Sequence, residues 1–209
     1  MEYSERVRCH TQGQYETRRP SPPVDFEKSI FRKATQVKKS AFPIIHIIGL
    51  PGAGKTTLGK KLSKKYDLPV FNIGKYRGRF LMTDEGEADA WVALFRELSK
   101  RKWRNCILET TGLNCRQRFL RDAFPFGKIV AVKLMAQRKV LYERIGKKKR
   151  GEQGGEWLFS AHYPDKYEFT RKMFKYFKKI PADIVIDTTT SSAQEVFTKA
   201  VSELRVWIR

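Results

Sequence analysis

Residues 49–57 read Gly49-Leu50-Pro51-Gly52-Ala53-Gly54-Lys55-Thr56-Thr57 and match the pattern GxxxxGK[ST]. The apolar run Pro43 to Ile48 comes directly before them and a stretch with helical spacing follows, so the segment joins a predicted strand to a predicted helix. Glycines allow consecutive backbone N–H groups to turn inward at the positive end of that helix, where they can hold phosphate groups. We therefore predict a phosphate-binding loop, or P-loop.

The chemistry of the P-loop predicts ATP and Mg²⁺ as cofactors. Lys55 should reach the β- and γ-phosphate oxygens and act in catalysis, and the Thr56 hydroxyl should ligate Mg²⁺. Thr57 is placed for the α-phosphate side. His46, inside the preceding strand, is predicted to be packed and hydrogen-bonded rather than catalytic. The predicted ATP-binding residues are Gly49, Pro51, Gly52, Ala53, Gly54, Lys55, Thr56 and Thr57.

The rest of the chain alternates short apolar runs with helical patterns, as in a parallel sheet covered by helices. The predicted strands are 43–48, 68–73, 106–110, 129–135 and 184–187. The predicted helices are 54–66, 88–101, 115–123, 137–148, 165–178 and 192–207. This order predicts an α/β fold of the P-loop NTPase type, a three-layer αβα sandwich with an open, mainly parallel five-stranded sheet and ligands at the carboxyl ends of the strands.

The charge of the chain predicts its partner. The formal net charge is +21, and most of it lies on residues 41–209, because residues 1–40 hold nine Lys and Arg against five Asp and Glu. Residues 1–40 show no sustained period and read as a basic, partly flexible arm, while residues 41–209 read as one domain. A basic body attracts nucleic acid, with DNA weakly favoured over RNA; a solvated basic surface is the alternative.

The cysteines and the apolar runs favour a cytoplasmic protein without a membrane segment. Cys9, Cys106 and Cys115 have no metal-binding spacing, and their number suits a reducing compartment. No apolar run approaches the roughly 20 residues that span a bilayer, and the N-terminus lacks the apolar segment of a secretory signal.

Glu109 ends the predicted third strand, opposite the P-loop. A carboxylate there can hold a Mg²⁺-bound water or orient an acceptor hydroxyl, so Glu109 joins Thr56 as a predicted metal residue. The alternative is a carboxylate that only caps the following turn.

Four segments carry a longer pattern: Gly49 to Thr57, Phe71 to Arg77, Ile107 to Asn114 followed by Arg116 and Arg118, and Arg138 to Arg150. Together they resemble the small P-loop kinases of the polynucleotide-kinase-like group, which is related to the zeta-toxin-like kinases and the phage hydroxymethyluracil DNA kinases. The resemblance implies a fold like that of nucleoside and nucleotide kinases. It also implies a basic lid around residues 137–160.

The resemblance implies further site residues. Lys75 and Arg77 would bind the acceptor at the end of the second strand, and Thr110 and Arg118 would do so at the end of the third. Arg144 and Arg150 would act in catalysis on the transferring phosphoryl group, a task suited to the planar, always ionised guanidinium. A solvated basic helix face is the alternative reading of these arginines.

The residue expected to act as general base is where this sequence differs from those kinases. Kinases of this group place an aspartate near the end of the second strand, but this chain has Gly74 and Lys75 there. We predict Asp84 as the base, with Glu85 and Glu87 as alternatives. Positioning and electrostatics can also dominate such a transfer, which needs little help from a base.

The acceptor is the least determined part of the function. Residues 163–179 interleave aromatic and basic residues, but the spacing of Tyr167, Met173, Phe174 and Phe177 favours a buried stripe over base stacking. The leading hypothesis is an ATP-dependent kinase that phosphorylates a hydroxyl of nucleic acid, either a hydroxymethylated base in DNA or a 5′-hydroxyl end. It would act in the cytoplasm, or the host cytoplasm if phage-encoded. The alternatives are a nucleotide or small-metabolite kinase and a nucleic-acid-binding ATPase module.

Overall fold

A computed structural model of the chain describes residues 42–81, 83–113, 129–147 and 166–208. The strands are β1 Ile44–Gly49, β2 Val70–Asn72, β3 Cys106–Thr110, β4 Ile129–Met135 and β5 Ile184–Asp187. The helices of the described ranges are α1 Lys55–Tyr66, α2 Ile73–Arg77, α3 Asp84–Lys100, α4 Arg138–Gly146, α5 Lys166–Lys178 and α6 Ala193–Leu204.

The five strands form one sheet in the order β2-β3-β1-β4-β5, and all four neighbouring pairs are parallel. β1 therefore lies at the centre, so the loop that follows it emerges between the carboxyl ends of β3 and β4. A parallel sheet needs crossover connections, and these place helices over its two faces. The predicted αβα sandwich with a five-stranded parallel sheet is confirmed.

Two apolar cores cover the two faces of the sheet. Ile45 and Ile47 of β1 join a cluster with Leu58 of α1 and Ala200 of α6. Ile44, one residue away along β1, belongs instead to a second cluster, which includes side chains of α3. Successive strand residues point to opposite faces, so α1 and α6 lie on one side of the sheet and α3 on the other.

The second strand is shorter than its apolar run predicts. The sequence predicts a strand over 68–73, but β2 ends at Asn72, whose side chain accepts a hydrogen bond of 2.7 Å from the Gly74 backbone N–H. This contact caps α2, which begins at Ile73 and has no counterpart among the predicted helices.

Helix α3 begins at Asp84, four residues before the predicted start, because the Thr83 side chain caps it by accepting from the Gly86 N–H. Its first turn is acidic, with Asp84, Glu85 and Glu87, which suits the positive end of the helix dipole.

Helix α5 confirms most of the predicted buried stripe. Phe177 is buried, and Met173 and Phe174 pack against the same core, but Tyr167 is 43% exposed. The prediction for Tyr167 was therefore wrong: its ring lies against that of Tyr142 in α4, with 5.6 Å between the ring centroids, rather than in the core.

Several predictions lie outside the described residues, namely the arm 1–40, the helix 115–123 and most of the basic lid. In the described ranges, no helix combines the length and the apolar character that crossing a bilayer requires.

Candidate functional site

The loop between β1 and α1 has the backbone that phosphate binding requires. Gly52 and Gly54 adopt φ angles of 80° and 94°, in the left-handed region that side chains disfavour. A Cβ on Gly52 would lie 2.7 Å from the backbone oxygen of Leu141 in α4, whereas one on Gly54 would meet nothing within 4 Å. Gly52 is thus required by both conformation and space, and Gly54 by conformation.

Lys55 and Thr56 open α1, which places them at the positive end of the helix. The Lys55 Nζ donates a hydrogen bond of 3.2 Å to the carbonyl of Leu50, so the ammonium folds back over the loop. This is the position from which a lysine can reach a bound triphosphate.

Glu109 lies directly behind the P-loop. The Thr56 Oγ1 donates a 2.6 Å hydrogen bond to Glu109 Oε1. Glu109 is only 3% exposed, and its second oxygen, Oε2, has no hydrogen-bond partner within the described structure. A buried carboxylate oxygen without a donor is costly, so this one is suited to a cation or its bound water.

These residues fit a magnesium ion held together with a nucleotide. Mg²⁺ is commonly bound by one or two protein oxygens plus substrate phosphates and waters, rather than by a complete protein cage. In keeping with this, no group of three or more His, Cys, Asp or Glu in the described ranges is arranged to hold a metal ion. Thr56 and Glu109 would hold the ion.

Thr110, the next residue of β3, is tied to the centre of the sheet. Its Oγ1 shares a 2.8 Å hydrogen bond with the Nε2 of buried His46 and accepts another of 3.2 Å from the Gly112 N–H. The prediction that His46 is packed and hydrogen-bonded is confirmed. Thr110 is itself buried, so it fixes the turn after β3.

Arg144 connects α4 to the loop that follows β5. Its guanidinium donates to the Thr188 carbonyl at 2.6 Å and to the Thr188 Oγ1 at 3.1 Å. The same hydroxyl donates to the Met135 carbonyl at 3.0 Å and lies 3.3 Å from the carbonyl of Ala53 in the P-loop. The structure thus places Arg144 against a loop that contacts the P-loop, and its predicted catalytic role stays a prediction.

The predicted acceptor residues at the end of β2 lie on α2. Lys75 is exposed, whereas Arg77 forms two 2.6 Å hydrogen bonds from Nε and Nη2 to the two oxygens of Glu87. Trp91 Nε1 donates to the same carboxylate at 2.9 Å. Glu87 is therefore engaged in holding α2 against α3, while Asp84 lies exposed in the first turn of α3.

The structure brings Lys55, Thr56, Glu109 and Thr110 together at the carboxyl edge of the sheet. The predicted residues Arg118 and Arg150 lie outside the described residues. Sequence reasoning missed Thr188, which joins β5, α4 and the P-loop. Its only sequence signal is its position directly after a strand, where side chains of a parallel sheet converge on the ligand edge.

Part of the chain is similar to an adenylate kinase. A segment of 46 residues is 46% identical to an adenylate kinase of Rickettsia rickettsii (strain Sheila Smith). It covers 22% of this chain and 22% of that relative, so the chain matches about a fifth of the relative's length.

Solved structures share the fold at low identity. A sugar kinase of Janibacter sp. HTCC2649 superposes with a TM-score of 0.58 at 16% identity, over 80% of this chain and 96% of its own. A shikimate kinase of Acinetobacter baumannii, in complex with shikimate, has a TM-score of 0.55 at 18% identity, over 80% of this chain and 95% of its own. The arrangement of sheet and helices is thus one that these two kinases also adopt.

Residues 45–162 match a family model described as the AAA domain. The matched range contains β1 from Ile45 onward, the P-loop, Glu109 and Arg144. Because it extends over more than half of the sequence, the chain belongs to the AAA domain family.

Proposed function

We propose that this protein is an ATP-dependent phosphotransferase that moves the terminal phosphate of ATP to a hydroxyl of a nucleotide or another small metabolite. The observation that carries the proposal is the buried Glu109 carboxylate, which accepts from Thr56 at 2.6 Å and keeps its other oxygen without a partner in the described structure. A carboxylate in this place serves a phosphate-bound cation, beside an acceptor hydroxyl.

Each residue of the P-loop has a defined task in this reaction. The backbone amides of the loop bind the phosphates, and the Lys55 ammonium stabilises the negative charge on the β- and γ-phosphate oxygens. Thr56 and Glu109 would hold Mg²⁺, which supplies further charge neutralisation when bound. Phosphoryl transfer through a loose transition state needs little covalent catalysis by the protein. Positioning of the substrates and electrostatic stabilisation therefore supply most of the rate acceleration.

The general base and the acceptor contacts belong to the same proposal. Asp84 is the base candidate and Glu85 the alternative, while Glu87 holds Arg77 and Trp91. Lys75 and Arg118 would contact the acceptor, and buried Thr110 would support them by fixing the turn after β3. Arg144 and Arg150 would stabilise charge on the transferring group.

A small acceptor is better supported than nucleic acid. The similar proteins described above are named adenylate kinase, sugar kinase and shikimate kinase, and none of these names refers to a nucleic acid. The leading hypothesis from the sequence, a nucleic-acid acceptor, has the basic charge of the chain in its favour. Net charge, however, indicates which partners the protein attracts and how fast they meet, and it does not indicate which hydroxyl is phosphorylated.

The test is transfer of label from γ-labelled ATP, with Mg²⁺, to a panel of acceptors. The panel holds nucleoside monophosphates, shikimate, gluconate and other sugars, single-stranded DNA, RNA, and a reaction without acceptor. Label in a small molecule supports the proposal. Label only in a polymer would move the acceptor to nucleic acid, and free phosphate alone would leave an ATPase.

Two lysines of α1 provide a test variant and its matched control. Lys55→Ala should reduce transfer by about 100-fold or more, as expected when a preorganised donor to the transferring group is lost. Lys64→Ala removes an exposed lysine of the same helix and should leave the rate unchanged. Equal rates for Lys55→Ala and the unmodified protein, with both folded by circular dichroism, would remove the P-loop from the reaction.

A further inference from the structure

The first residue after β5 contacts the P-loop through its side chain. Thr188 is only 3% exposed, and its Oγ1 lies 3.3 Å from the carbonyl oxygen of Ala53. The same oxygen lies 3.0 Å from the carbonyl oxygen of Met135 and accepts a 3.1 Å hydrogen bond from Arg144 Nη1. One buried hydroxyl therefore joins the P-loop, the end of β4 and helix α4.

Arg144 determines where the proton of this hydroxyl points. A threonine hydroxyl has one proton to donate and two lone pairs with which to accept. Because Arg144 donates to the oxygen, the proton is directed to one of the two carbonyls. Arg144 Nη2 also donates to the Thr188 carbonyl at 2.6 Å, so the guanidinium holds this residue by its backbone and by its side chain.

The hydroxyl is not needed to attach Thr188 to β4. The Met135 carbonyl already accepts from the Thr188 backbone N–H at 2.6 Å. A valine at this position would keep that bond and the shape of the side chain, and it would bury no polar group. The contact with Ala53 is therefore the part of this arrangement that requires a hydroxyl.

Ala53 is bonded at both of its backbone groups. Its N–H donates to the Leu50 carbonyl at 3.1 Å, and its carbonyl faces Thr188. The next N–H along the loop belongs to Gly54 and lies in the same peptide unit as the Ala53 carbonyl. In a planar trans peptide the C=O and the N–H point in opposite directions. Holding the Ala53 carbonyl on Thr188 therefore directs the Gly54 N–H away from Thr188.

This peptide needs an anchor because Gly54 restricts it little. Gly54 has a φ of 94°, and a Cβ added to it would meet nothing within 4 Å. Glycine adopts positive and negative φ with similar ease, so the peptide that precedes it can turn over at small cost. A turned peptide would present its carbonyl oxygen, and not its N–H, to a phosphate, and the two negative groups would repel each other.

We propose that Thr188 is a positioning residue for nucleotide binding. Its hydroxyl holds the Ala53 carbonyl, which aims the Gly54 N–H at the phosphates, and Arg144 keeps the hydroxyl in place. Thr188 acts through this peptide and does not itself touch the nucleotide. The inference deepens the proposed function and rests on it in one respect, namely that the P-loop binds the phosphates of ATP.

The experiment measures how ATP and inorganic tripolyphosphate displace a fluorescent ATP analogue from the full chain in the presence of Mg²⁺. Tripolyphosphate carries a phosphate chain without base or ribose, so it reports on the P-loop alone. The test variant is Thr188→Val, which keeps the shape of the side chain and removes the hydroxyl. Thr190→Val makes the same change at an exposed position of the same loop and is the matched control. Circular dichroism and melting temperatures establish that each variant is folded at the assay temperature.

Thr188→Val should bind both ATP and tripolyphosphate about 10-fold more weakly, as expected when a hydrogen bond to a charged group is lost. Thr188→Ser keeps the hydroxyl and should bind both within about 3-fold of the unmodified chain. Thr188→Cys has a weaker S–H donor and should fall between these two, and it takes the place of Thr188→Val if that variant does not fold. Thr190→Val should bind as the unmodified chain does.

The proposal is overturned if the affinities are unchanged in Thr188→Val, or if Thr188→Ser loses as much as Thr188→Val. A loss for ATP without a loss for tripolyphosphate would also overturn it, because the effect would then lie on the base or the ribose. The proposed function is tested separately: a chain that binds ATP but transfers no label fails that function and leaves this inference standing. If tripolyphosphate displaces nothing from the unmodified chain, the P-loop is not the phosphate site and both fail.

The Gly54 amide gives a direct readout of the orientation of the peptide. In the nucleotide-free, isotopically labelled chain, Thr188→Val should produce microsecond-to-millisecond exchange at this amide, measured by NMR relaxation dispersion. The unmodified chain and Thr188→Ser should show no such exchange. A Gly54 amide without exchange and with an unchanged chemical shift in Thr188→Val would show that the peptide keeps its orientation without Thr188, and would overturn the proposal.

Discussion

One carboxylate oxygen of Glu109 accepts a hydrogen bond of 2.6 Å from the Thr56 hydroxyl. The other oxygen is buried and has no hydrogen-bond partner in the described structure. A carboxylate that served only to fix Thr56 would need one oxygen, and the second would be better solvated or bonded. The unsatisfied oxygen is therefore the residue-scale sign that something positive binds here, and Glu109→Gln tests it.

Glu109→Gln keeps the shape of the side chain and an oxygen that can accept from Thr56, but removes the negative charge. We expect transfer from Mg-ATP to fall by about 10- to 100-fold, as when a group behind a metal ligand is lost. Raising the Mg²⁺ concentration should recover part of the rate. Glu97→Gln, which changes an exposed carboxylate paired with Lys100, is the matched control and should have no effect. Unchanged Mg²⁺ dependence in Glu109→Gln would contradict a cation role.

His46 and Thr110 make a second prediction at this scale. Both side chains are buried, and the bond between them fixes the turn that follows Glu109. Thr110→Val leaves a buried imidazole nitrogen without this partner and should lower the free energy of unfolding by about 1–3 kcal/mol.

His46→Leu should cost a similar amount, and the double variant should cost less than the sum, because residues in contact do not act independently. Urea denaturation of the three variants measures this coupling. Additive losses would show that the pair is merely adjacent and that the hydrogen bond contributes nothing.

At the scale of elements, the strands were the best predicted feature. β3, β4 and β5 have the bounds that their apolar runs predict. β3 and the middle of β4 are buried on both faces, as expected for nearly continuous apolar strands, whereas β5 alternates buried and exposed positions. β2 was predicted too long, because Phe71 and Ile73 are both apolar and both suit a buried strand. The strand ends between them because the Asn72 side chain accepts one hydrogen bond that caps α2. Local capping decides such boundaries, and apolar periodicity does not reveal it.

The site shows the same division between what the sequence indicates and what only the structure supplies. The P-loop could be predicted because its chemistry lies within nine residues, and Glu109 because carboxyl ends of parallel strands meet at one edge. The link from Thr188 to Ala53 spans 135 residues and uses a hydroxyl in a polar stretch that resembles any surface turn. The pairing of Arg77 with Glu87 spans only ten residues and was also missed, because it depends on how α2 packs against α3.

Lys133 joins a strand to a helix, and sequence reasoning did not find this contact. It lies in the middle of β4, is buried, and its Nζ donates to the carbonyls of Lys178 at 3.0 Å and Ile180 at 2.7 Å. The first carbonyl ends α5 and the second lies in the turn after it, so the lysine attaches the end of that helix to the sheet. Burial lowers the pKa of Lys133 from its ordinary value of 10.5, because desolvation disfavours the ammonium.

Lys133→Met keeps the aliphatic length but leaves both carbonyls without this donor, so it should lower the free energy of unfolding by about 1–3 kcal/mol. The unfolded chain binds more protons at this lysine than the folded chain between the lowered pKa and 10.5. Wild-type stability therefore rises with pH across that window, and the gap to the variant should widen as the pH rises toward 10.5. Lys139→Met, at an exposed position of α4, is the control. A gap that narrows with rising pH would contradict the assignment.

At the scale of the whole molecule, the sheet order explains how distant residues form one site. β1 lies between β3 and β4, so the P-loop lies between the ends of these two strands. On the β3 side, Thr56 is bonded to Glu109, and on the β4 side, the Met135 carbonyl accepts from Thr188 of the loop after β5. Binding at this edge should therefore stabilise the entire sheet rather than one loop. A probe buried far from the nucleotide is the appropriate reporter of such an effect.

Cys106 is that probe. It begins β3 opposite Ile44, is fully buried, and desolvation raises the pKa of its thiol to about 12. Only the thiolate reacts with alkylating reagents, so the native chain should be labelled at Cys106 only after it opens. In a Cys9→Ser, Cys115→Ser background, saturating Mg-ATP at about 100 times its Kd should slow labelling by about 100-fold, equivalent to roughly 2.7 kcal/mol.

Lys55→Ala in the same background should lose most of this protection, because the nucleotide is then held weakly, while its labelling rate without ATP should stay unchanged. Mass spectrometry of the quenched reaction measures both rates. If Mg-ATP binds by calorimetry but leaves the Cys106 rate unaltered, the opening that exposes this thiol is local to β3 and the edge of the sheet does not couple the site to global stability. Protection that survives Lys55→Ala would instead place the nucleotide somewhere other than the P-loop.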